Sequence, residues 1–454
     1  MRYLSILLLL AFSFTGFSQS TYELNTLIFK AKEEFRVYFL RSKTDFYKLE
    51  SQFHKIGVTS ITQEYPRSSK PRESVNQLGM PTTDISLIYR LKYSGDFKPT
   101  ELVNNLMRTG AFQYVEPSFI FQSLYTPNDS ELNTWNHLEF MNVLDAWDVT
   151  KGDTNVVIGI SDTGFDIDHP DLVGSVKYNF SDPINSIDDD ADGYIDNYRG
   201  WDLGENDNDP SINGSDHGVV VAGFAGATPD NSFQVAGTGF NCKLMPLKIA
   251  DASGNLTQGY QSIVYAADHG CDVVNCSWGS PNSWSQQGQD VIDYAVGKGC
   301  LVVSAAGNSN AEDLFYPASF EFVLSVGGTN SLNQKWTEAS QGSNYNNYVD
   351  VVAPSVNLYR ITDGGGSLRS GGSGTSLSAP IVAGIAGLVK SQFPSYNPYQ
   401  ILEQLKSTAI DIDTIAFNAP YQGKLGKGLV DAHKAVTDST KPGFIFINPV
   451  FTDL

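Results

Sequence analysis

The sequence predicts an α/β protein: a mainly parallel sheet with helices on both faces, preceded by a small α+β unit. Three observations predict it. Short apolar or β-branched runs at 155–161, 243–249, 272–277 and 301–306 alternate with helical patterns such as 262–267, and continuously apolar strands belong to parallel sheets covered on both faces. Hydrophobic residues make up 41% and charged residues 18%, a composition that supports a packed core and excludes wholesale disorder. The charge also shifts along the chain: residues 19–123 carry 14 basic and 11 acidic side chains, a net of +3, whereas 124–454 carry 15 and 39, a net of −24. Units of opposite sign attract if they dock. The overall charge of −20 excludes a general nucleic-acid binder, because phosphates are repelled. Without a run of 18 apolar residues no spanning helix is expected, and four cysteines in 454 residues are too few for a disulfide scaffold.

In chain order, residues 1–18 read as an export signal. Arg2 gives the positive start, 4–14 the apolar stretch, and Gly16 and Ser18 the small residues before a new terminus at Gln19. The mature chain is therefore expected outside the cytoplasm, extracellular or periplasmic, where disulfides are permitted. Residues 19–123 read as the α+β unit. Phe35 to Leu40 is strand-like, Phe46, Leu49, Phe53 and Ile56 recur at helical spacing, and Ile85 to Leu91 is a second strand. Leu102, Val103, Leu106 and Met107 mark a second helix, Tyr114 to Pro117 opens a last extended segment, and 66–73 is the loop between the halves. Residues 124–437 form the alternating α/β unit, in which Asn397 before Pro398 caps a helix over 399–407. Residues 438–454 are a tail.

Three segments carry chemistry. Ile160-Ser161-Asp162-Thr163-Gly164 puts a carboxylate where a buried strand ends, Asp216-His217-Gly218 opens a small-residue helix, and Gly374-Thr375-Ser376-Leu377-Ser378-Ala379-Pro380 opens a helix with Ile381, Ile385, Leu388 and Val389 at core spacing. Taken singly, such an Asp is a turn former, such a His structural and such a Ser a helix cap. Acyl transfer, however, needs a nucleophile, a base and an acid that orients the base, and a Ser at a helix start has backbone N–H groups nearby to stabilise an oxyanion. Ligands also gather at the carboxyl ends of parallel strands, where these segments fall.

The order Asp162, His217, Ser376 and the words around them resemble the subtilisin-like serine protease family, the subtilases, over about residues 127–437; the order itself is the family's. The resemblance implies a subtilisin-like three-layer fold and a serine endopeptidase acting on protein or peptide substrates. In it Ser376 attacks, His217 moves the proton and Asp162 orients His217. Val303-Ser304-Ala305-Ala306-Gly307-Asn308 resembles the family's oxyanion segment, with Asn308 as donor and Ala305, Ala306 and Gly307 beside the substrate. Asp272 to Gly279 resembles its substrate-binding strand, ending in Ser277, Trp278 and Gly279, and Gly428 to Ala432 its closing helix. The front unit resembles an inhibitory propeptide, the enzyme's own intramolecular inhibitor, cut off near 123–126. One departure stands out: where the family's His segment usually continues Gly-Thr-His-Val, this chain has Gly218-Val219-Val220-Val221. It leaves room for an alternative, a catalytically weakened binding protein on the same fold. A calcium-binding surface module is a further alternative.

The acidic stretch 181–216 holds ten Asp, one Glu and a single Arg. Within it Asp188, Asp190, Asp192 and Asp196 stand at positions 1, 3, 5 and 9 of an EF-hand-like loop, with Gly193 at 6 and the Tyr194 carbonyl at 7; Arg199 stands where the terminal Glu belongs. Four carboxylates this close favour a bound Ca²⁺, which the resemblance also implies as a structural ion. Cys242, Cys271 and Cys300 each precede a strand, so two of them could pair across neighbouring strands, whereas Cys276 lies within one as a buried thiol.

Overall fold

A computed structural model of the chain describes residues 22–41, 47–75, 79–119 and 125–443. The expected export signal, Phe46 and most of the segment around the expected cleavage point lie outside these residues. The chain divides into two compact units, 1–123 and 124–454.

In the front unit β1 (Tyr22–Ala31), α1 (Arg36–Arg41), α2 (Tyr47–Ile56), β2 (Val58–Gln63), β3 (Ile88–Tyr93), α3 (Pro99–Met107) and β4 (Phe112–Phe119) follow one another. The strands pair antiparallel in the order β2-β3-β1-β4. Leu27, Phe29 and Ala31 alternate onto one face of β1 and meet Leu49, Phe53 and Ile56 of α2 and Leu102 and Leu106 of α3. The strand expected at 35–40 is instead the helix α1. Its apolar residues fit both periods, and the helical one wins because it stacks Phe39 on Phe29 and Tyr89, at 5.0 and 5.1 Å between ring centres. Val37, which a strand would have buried, is 60% exposed. The expected strand at 85–91 begins three residues later, because Asp84 accepts the Ser86 N–H (2.9 Å) and turns 85–87 into a 3₁₀ turn.

The large unit begins with α4 (His137–Phe140) and α5 (Val143–Val149), then β5 (Val157–Asp162), β6 (Trp201–Asp202), α6 (His217–Gly226), β7 (Lys243–Lys248), α7 (Gly259–Asp268) and β8 (Val273–Cys276). It continues through β9 (Ser280–Pro281), α8 (Gln286–Lys298), β10 (Leu301–Ala305), β11 (Phe315–Tyr316), β12 (Leu324–Thr329), β13 (Val351–Pro354), β14 (Leu358–Arg360), β15 (Arg369–Gly372), α9 (Thr375–Gln392), α10 (Pro398–Ser407) and α11 (Ala432–Thr437). Seven strands form one parallel sheet in the order β13-β12-β10-β8-β5-β7-β6. Successive strand residues alternate between two cores. Ile158, Ile160, Val273, Leu301 and Val303 pack against α6 and α9 on one face, while Val157, Val274 and Val302 pack against α7 and α8 on the other. This is the three-layer α/β arrangement expected. Gly428 to Asp431, expected as part of the closing helix, instead bridges Leu429 to Val352 and Ile410. The helix itself starts at Ala432, capped by Asp431.

The cap expected at Asn397 is a full capping box. Its side chain accepts the Gln400 N–H (2.9 Å) and Gln400 accepts the Asn397 N–H (3.1 Å). Asn397→Ala removes an acceptor from the first turn of α10 and is expected to cost about 1 kcal/mol, read as a lower midpoint in chemical unfolding; an unchanged midpoint contradicts it.

Candidate active site

All strands of the large sheet run the same way, so their carboxyl ends share one edge, and Asp162, His217, Asn308 and Ser376 sit at that edge or on a helix that starts there. Asp162 is the last residue of β5 and 1% exposed. Its Oδ1 accepts the Thr163 N–H (2.8 Å) and lies 2.7 Å from His217 Nδ1, while Oδ2 is buried without a hydrogen-bond partner among the described residues. His217 is the first residue of α6. That helix start fits against the turn after β5 only because residue 218 is glycine: a Cβ there would stand 2.3 Å from the Gly164 carbonyl oxygen. The Gly218 N–H donates to Thr163 Oγ1 (3.1 Å), closing the same contact. The His217 side chain remains 35% exposed. The Asp162 charge raises its pKa above the ordinary imidazole value, against the opposing effect of burial.

Ser376 is the second residue of α9, whose Ile381, Ile385, Leu388 and Val389 are fully buried. Ser277, just past β8, donates to the Ser376 carbonyl (2.9 Å). Thr375 holds Asn308: its N–H and hydroxyl both donate to Asn308 Oδ1, at 2.9 and 2.8 Å. That fixes the amide so that Nδ2 is its free end. A Cβ on Gly374 would lie 3.0 Å from Ser376 Oγ and 3.6 Å from Asn308 Nδ2, so a hydroxyl and an amide donor border one space kept open by a glycine. Thr163 and Thr375, which position the assigned residues, went unassigned in the sequence, where hydroxyls beside Asp162 and Ser376 read as ordinary turn and cap residues.

The other assigned segments flank this space. Ser277–Gly279 and Ala305–Gly307 follow the neighbouring strands β8 and β10, paired in parallel register. The Trp278 indole donates to Ser161 Oγ (2.8 Å) and lies against Gly259, so its ring is committed to the scaffold. Gly307 has φ +102°, a conformation open to glycine, and its N–H donates to Thr375 Oγ1 (3.2 Å). Val219 and Val220, the departure from the family's segment, are 0% and 5% exposed within a helix buried on every side. There they serve as core packing.

In the acidic loop the structure regroups the expected ligands. Asp188 and Asp190 come together with Asp182, their oxygens within 4.8 Å of one another, and Asp182 is fully buried. Asp192 points elsewhere, to His269 Nε2 (3.0 Å) and Asn197 Nδ2 (2.8 Å). Asp196 accepts the N–H groups of Asn185 and Ser186, at 2.8 and 2.9 Å, and the Tyr194 ring packs on Trp201 and Tyr265. A second acidic pair escaped the sequence reading. Asp171 is fully buried, its carboxyl pushed up to about 7 by burial. Asp129, 6% exposed, has Oδ1 buried with no partner among the described residues. All four cysteines are free and buried, so the pairing allowed for them is absent. Cys271 Sγ faces Met245 Sδ (3.6 Å), and burial pushes the Cys242 thiol up to about 12.

Comparison with known proteins agrees with this geometry. The subtilase family model matches residues 153–441. A thermophilic serine proteinase from Bacillus sp. (strain AK1) is 33% identical over 74% of this chain and 75% of its own length. Thermitase from Thermoactinomyces vulgaris is 35% identical over 69% of this chain and 99% of its own. Among solved structures, a protease from Pseudoalteromonas arctica PAMC 21717 superposes with a TM-score of 0.58 at 27% identity, covering 69% of this chain and 99% of that one. No helix among the described residues is long and apolar enough to cross a membrane. A parallel seven-stranded sheet, a buried carboxylate against a histidine and a helix-start serine beside an asparagine amide thus meet the family match on the same stretch of chain, which belongs to the subtilase family of serine-type endopeptidases.

Proposed function

We propose that the protein is an exported zymogen whose large unit hydrolyses peptide bonds through Asp162, His217 and Ser376. The observation that carries this reading is the 2.7 Å contact between His217 Nδ1 and Asp162 Oδ1. A buried carboxylate there fixes the tautomer with the proton on Nδ1, which leaves Nε2 as the base. Ser376 Oγ attacks the scissile carbonyl as Nε2 takes its proton. Asn308 Nδ2 and the Ser376 N–H stabilise the oxyanion of the tetrahedral intermediate. His217 then gives the proton to the leaving amine, and water repeats the sequence on the acyl-enzyme. Losing such an asparagine donor lowers the rate by about 10²–10³, a magnitude measured in subtilisin itself.

The front unit acts in this proposal as an inhibitory propeptide that the enzyme removes from itself near 123–126. Its net charge of +3 against −24 supports association with the large unit. A structural Ca²⁺ fits Asp182, Asp188 and Asp190. They are three hard oxygen donors with no Lys or Arg ion pair among the described residues, and the cation would neutralise their mutual repulsion and hold the loop.

Ser376→Ala is expected to abolish peptidase activity, by about 10⁶-fold as measured for the nucleophile in subtilisin, and to lose labelling by a fluorophosphonate. The same variant should accumulate as one uncut chain beginning at Gln19, read by N-terminal sequencing; activity within tenfold of wild type overturns the mechanism. His217 works as a base only when neutral, so activity should rise with pH through its raised pKa. Asp162→Asn removes the charge responsible and should move that acid limb to lower pH while lowering kcat. Chelation of calcium should lower the Tm, since a ligand of the folded state stabilises it by about 2.7 kcal/mol at a hundredfold excess over Kd. Asp188→Asn with Asp190→Asn should reduce that calcium-dependent shift, and a wild-type Tm indifferent to calcium removes the ion from the reading.

A further inference from the structure

Gly279 and Gly307 end the two segments beside Ser376, where Ser277 donates to the Ser376 carbonyl and the Gly307 N–H to Thr375, and both lack side chains. Two facing glycines leave a slot between backbones, the space a substrate side chain would enter. In this chain the slot has an occupant. The ring of Phe315 lies with Cε1 2.5 Å and Cδ1 2.9 Å from where a Cβ on Gly279 would stand. Its Cγ lies 3.0 Å from the corresponding point on Gly307. One side chain therefore touches both glycine positions, and it is neither fully buried nor withdrawn into the core.

The backbone that delivers the ring is held from both sides. β11 pairs antiparallel with β9, Phe315 opposite Pro281 and Tyr316 opposite Ser280. Ser319 accepts the Phe315 N–H through its hydroxyl (3.1 Å) and donates its own N–H to the Phe315 carbonyl (2.8 Å). The Tyr316 carbonyl oxygen comes within 2.4 Å of the Gly279 Cβ position, so the segment lies hard against that wall. Packed interiors do not accept a second ring where one already stands without displacing it, and overpacking destabilises.

We propose that Phe315 fills the acyl-side pocket and restricts the residue before the cut bond to Gly, Ala or Ser. The proposal rests on the peptidase reading above and names the substrate class of that same site. One methylene more or less in a hydrophobic pocket already changes kcat/KM by about 10–200-fold, so the effect belongs there.

The test uses the mature enzyme and tetrapeptide nitroanilides that differ only at the residue before the cut. Wild type should cleave after Ala at least tenfold better, in kcat/KM, than after Phe or Leu. Phe315→Gly and Phe315→Ala should each raise the Phe/Ala ratio by tenfold or more, whereas Phe315→Tyr should keep the wild-type preference. Wild type that cleaves equally well after Phe and Ala overturns the proposal, as does a ratio unmoved in the small variants. The wild-type ratio needs no variant, so a poorly folding substitution leaves the test intact. Labelling by a small fluorophosphonate asks only for a reactive Ser376, so unlabelled wild type overturns the peptidase reading itself, while labelled wild type without the preference overturns this one alone.

Discussion

The approach of α6 to α9 is the constraint on which the rest of the large unit depends. One helix begins at His217 and the other carries Ser376 in its first turn, so their separation places the proposed base relative to the proposed nucleophile. Both are buried nearly throughout, and they meet backbone to backbone. A Cβ on Gly384 of α9 would stand 2.0 Å from Thr238 Oγ1 and 2.7 Å from the Ala225 carbonyl of α6. The Thr238 hydroxyl lies within hydrogen-bond reach of carbonyls on both helices, Phe224 (3.2 Å) and Ile381 (2.9 Å). Alanine at 384 would push the helices apart where no solvent face can absorb the shift, and the spacing of His217 from Ser376 would change with it. Rigidity of this kind is what a preorganised oxyanion site requires, because donors that must move when charge develops stabilise it less.

The alternating strands and helices of the large unit were legible because buried parallel strands are uniformly apolar. Three strands of the seven-stranded sheet were not, the first of them β6, only two residues long. β12 reads Leu-Ser-Val-Gly-Gly-Thr, a composition that suggests a turn; Gly327 and Gly328 lie in a strand because Val352, Ser343 and Ser355 crowd their Cβ positions. β13 is four residues ending in Pro354, too short for periodicity to register. The 35–40 segment failed for the opposite reason, since its pattern satisfied two periods and only tertiary stacking on Phe29 chose between them.

The candidate site was legible in its words and not in its contacts. Asp162, His217 and Ser376 could be named from the segments around them, but the reason the first two segments meet, Gly218 against the Gly164 carbonyl, is a close approach that no spacing encodes. The acidic loop shows the limit of spacing more plainly. Positions 1 and 3, Asp188 and Asp190, do converge. Positions 5 and 9 are drawn away by partners remote in sequence or behind them in the loop, His269 for Asp192 and the Asn185 and Ser186 amides for Asp196. Asp182 takes their place from outside the nine-residue frame, held by the N–H groups of Asp189 and Asn197.

In the proposed reading chemistry and selectivity belong to different parts of the fold, and the glycines explain why. At 279 a side chain would collide with the Tyr316 carbonyl at 2.4 Å, and at 307 with Asn344 Nδ2 at 2.5 Å in a backbone conformation that already disfavours one. The two walls are thus fixed as glycine by the packing that builds the sheet edge. Whatever fills the space between them has to come from a third segment. Here that segment is the loop leaving Asn308, which reaches Phe315 before β12 begins. Its residues can vary in size without touching the Asp162–His217 contact or the clamp of Thr375 on Asn308, so the fold can change what it accepts while the groups that would carry the reaction stay in place.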